Sequence, residues 1–305
     1  MGAMRILRND AASSLPVSLE RPRKRRPGVQ VWRVIVHVVL YAGAIIFLIP
    51  LFWMLSTALK TVQENYTYPP TLLPHIFQWH NFKVAWTAYN FSLYTYHTLF
   101  ITGTSMVGVL ATSTLCAYGF ARLHFWGRDV LFLCVIASVM LPFTVTVLPL
   151  YIIFRDLGWL NTFKPLIIPS WFGGGAFNIF LLRQYFQTIP RDLDEAARID
   201  GCSTFGIFWR IMLPLSKPAI AVVAIFWFQA SWTDFLGPVI YLNSTDKYTL
   251  ALGVYQFAAD ASSLAVHHQE LLMCVAFAMV LPVALVFLVA QRYMIRGVVL
   301  SGIKG

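Results

Sequence analysis

Long uncharged runs, separated by short charged clusters, dominate the hydrophobic–polar pattern of this chain. Between Arg33 and Lys60 lie 26 residues without a charge, more than the roughly 20 that a helix needs to cross a hydrocarbon core. Pro50 inside that run predicts a kink. A second uncharged stretch covers residues 84–121 and predicts a helix over about 97–121, with Tyr94 and Tyr96 as interfacial anchors. Residues 130–154 form a third run of 25, interrupted by Pro142 and Pro149, and residues 165–182 a fourth of 18. Gly173-Gly174-Gly175 in the fourth permits close backbone packing or an unwound segment beside a cavity. Residues 218–241, carrying one acid at Asp234, and residues 271–291 complete six spans.

The expected fold is therefore an all-α, polytopic integral membrane protein with six transmembrane helices. Residues 1–33 read as a disordered basic tail, 34–291 as the transmembrane domain and 292–305 as a short second tail. Within the domain, 183–217 is a charged segment between the fourth and fifth spans, and 242–269 is a polar, loop-like segment. No internal repeat is visible.

Composition supports this picture. Hydrophobic residues make up 58% of the chain and charged residues only 12%, with a mean hydropathy of +0.66. Soluble domains carry about 25% charged residues, so a soluble fold of this composition would expose large apolar patches. The net charge of +10 raises nucleic acid as a partner, but the charges sit in clusters between apolar runs, which is the pattern of membrane orientation. Eighteen Lys and Arg fall in the segments on the amino-terminal side and five in the opposite segments. That bias puts both termini and the 183–217 segment in the cytoplasm. The run Arg21-Pro22-Arg23-Lys24-Arg25-Arg26 then reads as a cytoplasmic anchor meeting anionic lipid heads. The apolar run behind it is too long for a signal-peptide core of about 7–15 residues.

Few residues carry obvious chemistry. Cys116, Cys134, Cys202 and Cys274 are far apart and have no ligand spacing, so neither a disulfide framework nor a zinc site is expected. His267-His268 is a weak metal signal. Asp234 lies 17 residues beyond Lys217, about 26 Å along a helix, near the outer face. It is either a pathway residue or a helix-end acid bonded to Trp232 or backbone. The hydroxyl residues of the second span, Thr102, Thr104, Ser105, Thr112, Ser113 and Thr114, either line a pathway or join helices.

The most informative stretch is 192–214. Asp192-x-x-Glu195 has the form of a capping box that starts a helix after Pro190. Leu193, Ala196, Ala197 and Asp200 share one face, small apart from Leu193, and Gly201 suits a left-handed stop. Ser203 or Thr204 caps a second short helix with the stripe Phe205, Phe208, Trp209 and Met212, ended by Pro214. By residues alone, this is equally a surface helix of an ordinary loop or a docking element.

Glu195-Ala196-Ala197, three residues, Gly201, nine residues, then Ile211-Met212-Leu213-Pro214 resembles the EAA motif of bacterial ABC importer permeases. The flanking Ile189-Pro190-Arg191-Asp192-Leu193-Asp194 and Leu213-Pro214-Leu215-Ser216-Lys217-Pro218 are similar to the carbohydrate-importer branch. The likeness extends over most of the chain from about residue 33 and is greatest to the smaller, MalG-like permease of maltose-type systems. Cys202 departs from the family's usual alanine, and Trp232-Thr233-Asp234-Phe235 from its usual Trp-Asn-acid-aromatic sequence.

The resemblance implies a permease subunit of the bacterial cell membrane, and not an enzyme. It would pair with a second, homologous permease and sit on two cytoplasmic ATPase subunits that grip the EAA helix through Glu195, Ala196, Ala197 and Gly201, with Asp200 beside them. An extracytoplasmic solute-binding protein would deliver a sugar or related carbohydrate, and ATP-driven closure would drive alternating access. No G-x-x-x-x-G-K-[ST] loop is present, so no cofactor is expected in this chain and ATP belongs to the partner subunits. The partners are thus proteins and membrane lipid, not nucleic acid. The competing reading is an ion-coupled secondary solute carrier, which favours paired intramembrane charges and inverted repeats.

Overall fold

A computed structural model describes residues 27–263 and 268–299, and every regular element among them is helical. Chain contacts divide the protein after Pro50. The described part of the first unit is the start of α1 (Pro27–Ala58), which continues unbroken through Pro50. Its apolar side chains are exposed, Phe47 by 85%. A helix with a mean hydropathy of 2.6 over an 18-residue stretch within Trp32–Ala58 is suited to lipid on such a surface. The basic run at 21–26 and the residues after 299 lie outside the described residues.

In the second unit, two short helices, α2 (Val62–Asn65) and α3 (His80–Ala88), lead into α4 (Phe91–Arg122). A capping box starts α2: Thr61 Oγ1 accepts from Glu64 N and Glu64 Oε2 accepts from Thr61 N. The 32-residue α4 is rich in Ser and Thr, yet stays helical because their hydroxyls bond back to carbonyls one turn earlier. Thr98 donates to Tyr94 O (2.9 Å), Thr112 to Gly108 O (2.8 Å) and Ser113 to Val109 O (2.5 Å). Those bonds spare an apolar environment any loose hydroxyls. The helix begins at Phe91 rather than near 97. Tyr94 is a core residue, 4% exposed and edge-to-face on Phe91, so of the two expected interfacial tyrosines only Tyr96 is exposed.

The expected third span is broken. Helices α5 (Arg128–Val139) and α6 (Phe143–Asp156) meet at 99°. Pro142 excludes the residue before it from helical geometry and itself stands, extended, at the N-cap of α6. The fourth comprises α7 (Lys164–Ile167), a 3-10 turn at Ile168–Trp171, and α8 (Ala176–Thr188). Gly173, Gly174 and Gly175 join them, all at positive φ. A Cβ on Gly174 would stand 2.9 Å from Val109 Cα, so the glycine run is both unwound and pressed against α4.

Beyond it come α9 (Asp192–Ile199), α10 (Thr204–Ile207), a π-helical turn at Phe208–Met212, α11 (Leu213–Leu215) and α12 (Lys217–Trp232). Pro214 does not end the second short helix as expected. The turn before it widens, Leu213 N–H reaching Phe208 O, and the bend of 75° comes at Ser216. The chain then breaks at 233–235 before α13 (Leu236–Tyr241).

The 242–269 segment is not loop-like throughout. It contains α14 (Leu250–Ser263), whose Leu250, Leu252 and Phe257 are buried, and whose Gly253 lets the Tyr94 ring approach. The polar run 243–247 masked the apolar spacing behind it. The last helix, α15 (Gln269–Val299), packs on α3, α12 and α14. By length and composition four helical segments among the described residues are fit to cross a membrane, or up to six if each bent pair is one span.

Helix α4 ties together two cores. One gathers Ala58, Phe91, Trp232, Leu250 and Val275. The other gathers Val109, Leu182, Phe186, Ile207, Met212 and Val223, and thus includes the segment after α9.

Candidate functional site

The 192–216 segment is held by its own caps and by the end of α4. Helix α9 starts at Asp192, with Arg191 at the N-cap and no side-chain cap bond. The Asp192–Glu195 capping box therefore does not form. Asp192 is already the first helical residue, one position too late to cap, and its carboxylate contributes only through the helix dipole together with Asp194 and Glu195. The C-terminus follows the expectation. Gly201 adopts φ +79°, Gly201 N–H bonds Arg198 O (3.0 Å) and Cys202 N–H bonds Ala197 O (2.8 Å), a complete Schellman motif. Ser203 then caps α10, its Oγ accepting from Gly206 N at 3.1 Å.

This places the sequence-selected residues on two sides of α9. Asp192, Glu195, Ala196 and Ile199 are exposed at the i, i+3, i+4, i+7 spacing of one helix face, with Ile199 86% exposed. Asp200, the C-cap, and Gly201 are exposed at the helix end. Ala197 is turned inward, 8% exposed, into the core beside Ile207 and Phe208. The single small face expected over Leu193, Ala196, Ala197 and Asp200 is thus corrected: Ala197 packs on the body, and Glu195, Ala196 and Asp200 are open. The apolar stripe after α10 divides similarly. Phe208 and Met212 are buried, whereas Phe205 and Trp209 stack on each other and are about two-thirds exposed.

Two residues that the sequence did not single out fasten the inner face. The last residue of α4, Arg122, is 5% exposed. Its Nη2 donates to Phe186 O (2.7 Å) and Ile189 O (2.6 Å), carbonyls at the end of α8. Its Nη1 lies 3.4 Å from Asp194 Oδ2. One guanidinium therefore joins α4, α8 and α9, and the planar fork of arginine suits it to that geometry. Nearby, Tyr118 OH donates to Thr204 O (3.1 Å) and its ring packs on Phe208. The sequence signal is a lone arginine closing a long uncharged run, which by itself marks only membrane orientation.

Asp234 is elsewhere, in the break between α12 and α13. Its Oδ1 accepts from Gly237 N at 3.2 Å, so it bonds the backbone at this break, and Trp232 is not its donor. Trp232 N–H goes to Met279 O. Asp234 also lines a cavity of about 400 Å³. Several hydroxyls of α4 join helices: Ser105 Oγ accepts from Trp227 Nε1 (2.9 Å), Thr102 and Ser231 share a bond of 3.0 Å, and Thr98 Oγ1 accepts from Leu250 N (2.8 Å). His267 is outside the described residues, and His268 pairs with Glu270 at 2.9 Å. No cluster of three metal-ligating side chains occurs among the described residues.

Comparison with known proteins gives a consistent result. Residues 109–299 match the family model described as binding-protein-dependent transport system inner membrane component. The chain is 32% identical to the probable ABC transporter permease protein YurM of Bacillus subtilis, over 88% of this chain and 87% of that protein. It is 31% identical to the diacetylchitobiose uptake system permease protein NgcG of Streptomyces coelicolor, over 84% of each chain. It is also 31% identical to the maltose/maltodextrin transport system permease protein MalG of Escherichia coli, over 88% of this chain and 94% of that one. In fold it is similar to a chain in the crystal structure of a bacterial ABC transporter that imports the acidic polysaccharide alginate, with a TM-score of 0.76 at 23% identity, covering 90% of this chain and 99% of that one. The chain therefore belongs to the family of binding-protein-dependent transport system inner membrane components, as a multi-pass ABC-transporter permease subunit of the bacterial cell membrane and not an enzyme.

Proposed function

We propose that this chain is one permease half of an ABC importer for a sugar or short carbohydrate, with residues 192–216 receiving the ATP-driven stroke. Its relatives are named for diacetylchitobiose, arabinooligosaccharides and maltodextrins, which supports a carbohydrate. The full assembly contains a second, homologous permease, two cytoplasmic ATPase subunits and an extracytoplasmic solute-binding protein. The chain crosses the membrane six times with both termini in the cytoplasm, each bent helix pair counting as one span. Residues 1–33 and 292–305 are its cytoplasmic tails, and 34–291 its transmembrane domain.

One observation carries this reading: α9 has two different faces. The outer face, with Glu195, Ala196 and Ile199, has no covering element among the described residues. The inner face is locked through Asp194 to Arg122 and thereby to α4 and α8. Such a helix can accept a partner on one side and pass its displacement to membrane-spanning helices on the other. Glu195, Ala196, Asp200 and Gly201 contact the ATPase, whereas Ala197 seats the helix on the body. Asp234 belongs to the solute pathway.

The test is Glu195→Ala in the co-expressed assembly. The variant inserts normally, and ATPase co-purification or sugar uptake falls. Unchanged subunit stoichiometry together with unchanged uptake would remove α9 from the coupling role.

A further inference from the structure

The turn between α4 and α5 lies at the same end of the helices as α9, because Arg122 at its start reaches Asp194. Beside it, between α5 and α8, stands a charged cluster that the coupling role does not use. Arg183 of α8 lies over the Phe132 ring of α5, its guanidinium carbon 4.0 Å from the ring centre. Its Nε reaches Phe120 O at 3.4 Å, the single hydrogen bond that Arg183 makes among the described residues. Both of its terminal nitrogens are therefore open to an anion. Arg128 comes one turn before Phe132 on α5, at the i, i+4 spacing of one helix face, and is near enough to repel Arg183. The carboxylate that acts on Arg183 is Asp129. It accepts from Arg128 Nε at 2.9 Å, and its side chain is 76% exposed. Exposed ion pairs are weak, so Asp129 yields readily to a stronger anion. Two arginines against one such carboxylate leave positive charge uncompensated.

The surroundings decide what kind of anion fits. Directly after the arginine, α5 exposes Val130, Leu131 and Leu133, by 66%, 52% and 66%. Directly before it, Trp126 is 99% exposed, and a bare tryptophan beside the first charge of an apolar helix has the character of an interfacial anchor. A free phosphate or an acidic peptide would match the arginines and leave this apolar surface uncovered. A phospholipid of net negative charge matches both. Its phosphate oxygens meet guanidinium forks, which suit them bidentately, and its acyl chains run along α5. A zwitterionic phospholipid would bring its own cation towards the arginines and is the poorer fit.

We propose that Arg128 and Arg183 form a headgroup site for one anionic phospholipid, whose chains cover Val130, Leu131 and Leu133 and which ties α5 to α8. The site is independent of the solute carried.

Native mass spectrometry of the detergent-purified permease–ATPase assembly tests it, after delipidation and addition of phosphatidylglycerol or phosphatidylcholine of identical chains. Phosphatidylglycerol should be retained in preference to phosphatidylcholine. Arg183→Gln and Arg128→Gln should each weaken that retention about fivefold, the worth of one basic residue near an anionic membrane surface. Arg183→Lys should keep most of it. Arg155→Gln, at the far end of α6, should change nothing. In phosphatidylcholine nanodiscs the melting temperature should rise with added phosphatidylglycerol, and less so in the two Gln variants. Arg128→Gln, in a partly exposed turn, carries the test if Arg183→Gln fails to assemble. Equal retention of the two lipids by the wild type would overturn the site, as would phosphatidylglycerol retention that neither Gln variant weakens. A loss in Arg155→Gln as large as theirs would reduce the effect to overall charge and overturn it too. Displacement of phosphatidylglycerol by inorganic phosphate would overturn it in favour of a free-anion site. ATPase subunits lost from the Gln variants with lipid retention intact would reassign the arginines to a protein contact.

Discussion

Replacing the two ends of the Arg122–Asp194 pair separately reveals which bonds hold the 192–216 segment. Arg122→Met removes two charge-assisted bonds, at 2.7 and 2.6 Å, to the carbonyls ending α8. Each is worth about 1.5–3 kcal/mol, so the loss is about 3–6 kcal/mol, and Asp194 is left buried without its cation. Asp194→Asn preserves shape and leaves Arg122 on both carbonyls. The attraction it deletes, at 3.4 Å, is about 5 kcal/mol at an effective dielectric of 20. Arg122 is then a buried cation without its anion, which costs about 3–5 kcal/mol, at the low end here because its two carbonyl acceptors remain. Thermal unfolding of the purified assembly should therefore show Arg122→Met destabilising at least twice as much as Asp194→Asn. Both variants should also raise the ATP hydrolysed per solute imported, because α9 is then less firmly tied to α4. Equal destabilisation by the two would mean that the ion pair, not the carbonyl grip, holds the joint. An unchanged ATP-to-solute ratio in both would mean that the joint carries no stroke.

Other substitutions read single features. Gly201→Ala should cost about 1–2 kcal/mol from backbone alone, since φ is +79° and no atom lies near its Cβ position; Gly201→Asn should recover part of the loss in a melting assay. Gly174→Ala should cost more, because positive φ is joined by a 2.9 Å approach to the Val109 backbone. A melt equal to that of Gly201→Ala would deny the close α4 contact. Glu64 is held below its ordinary 4.5 by the backbone N–H groups of Thr61 and His75. Its contribution is thus present above that value and lost as pH falls through the lower folded value. Glu64→Gln should flatten the acid limb of a stability–pH profile, and an unaltered limb would show that the α2 capping box contributes nothing. Tyr89 donates to Asp260, and its hydroxyl is pushed up to about 12 by burial and that carboxylate. Stability should accordingly fall between about pH 10 and 12, and Tyr89→Phe should lose that alkaline step.

The apolar runs were legible because lipid imposes a length and a charge rule on every span. Where proline or glycine interrupts a run, the sequence marked the interruption but not its angle. Pro142 produced a bend of 99° and Pro214 none of its own, because the π-helical turn before Pro214 absorbed it. In α9 the terminal signal of Gly201 was readable, since only positive φ satisfies that cap. The capping signal of Asp192 misled, since the same Asp-x-x-Glu spacing also fits a helix that starts one residue earlier. Facing was the least readable property. A short helix rich in small residues has no strong apolar stripe, so which of Ala196 and Ala197 turns inward depends on the Arg122 anchor, which comes from a distant part of the chain. Helix α14 was hidden for a related reason: the polar residues 243–247 immediately precede its apolar face.

The most direct measurement is uptake into proteoliposomes containing this chain with its partner permease, with and without the ATPase subunits and with the binding protein supplied outside. Carbohydrate uptake that requires both ATP and the ATPase subunits, and that ionophores leave intact, is expected of an ATP-driven importer permease. Uptake driven by an ion gradient in vesicles lacking the ATPase would contradict that assignment and identify a secondary carrier.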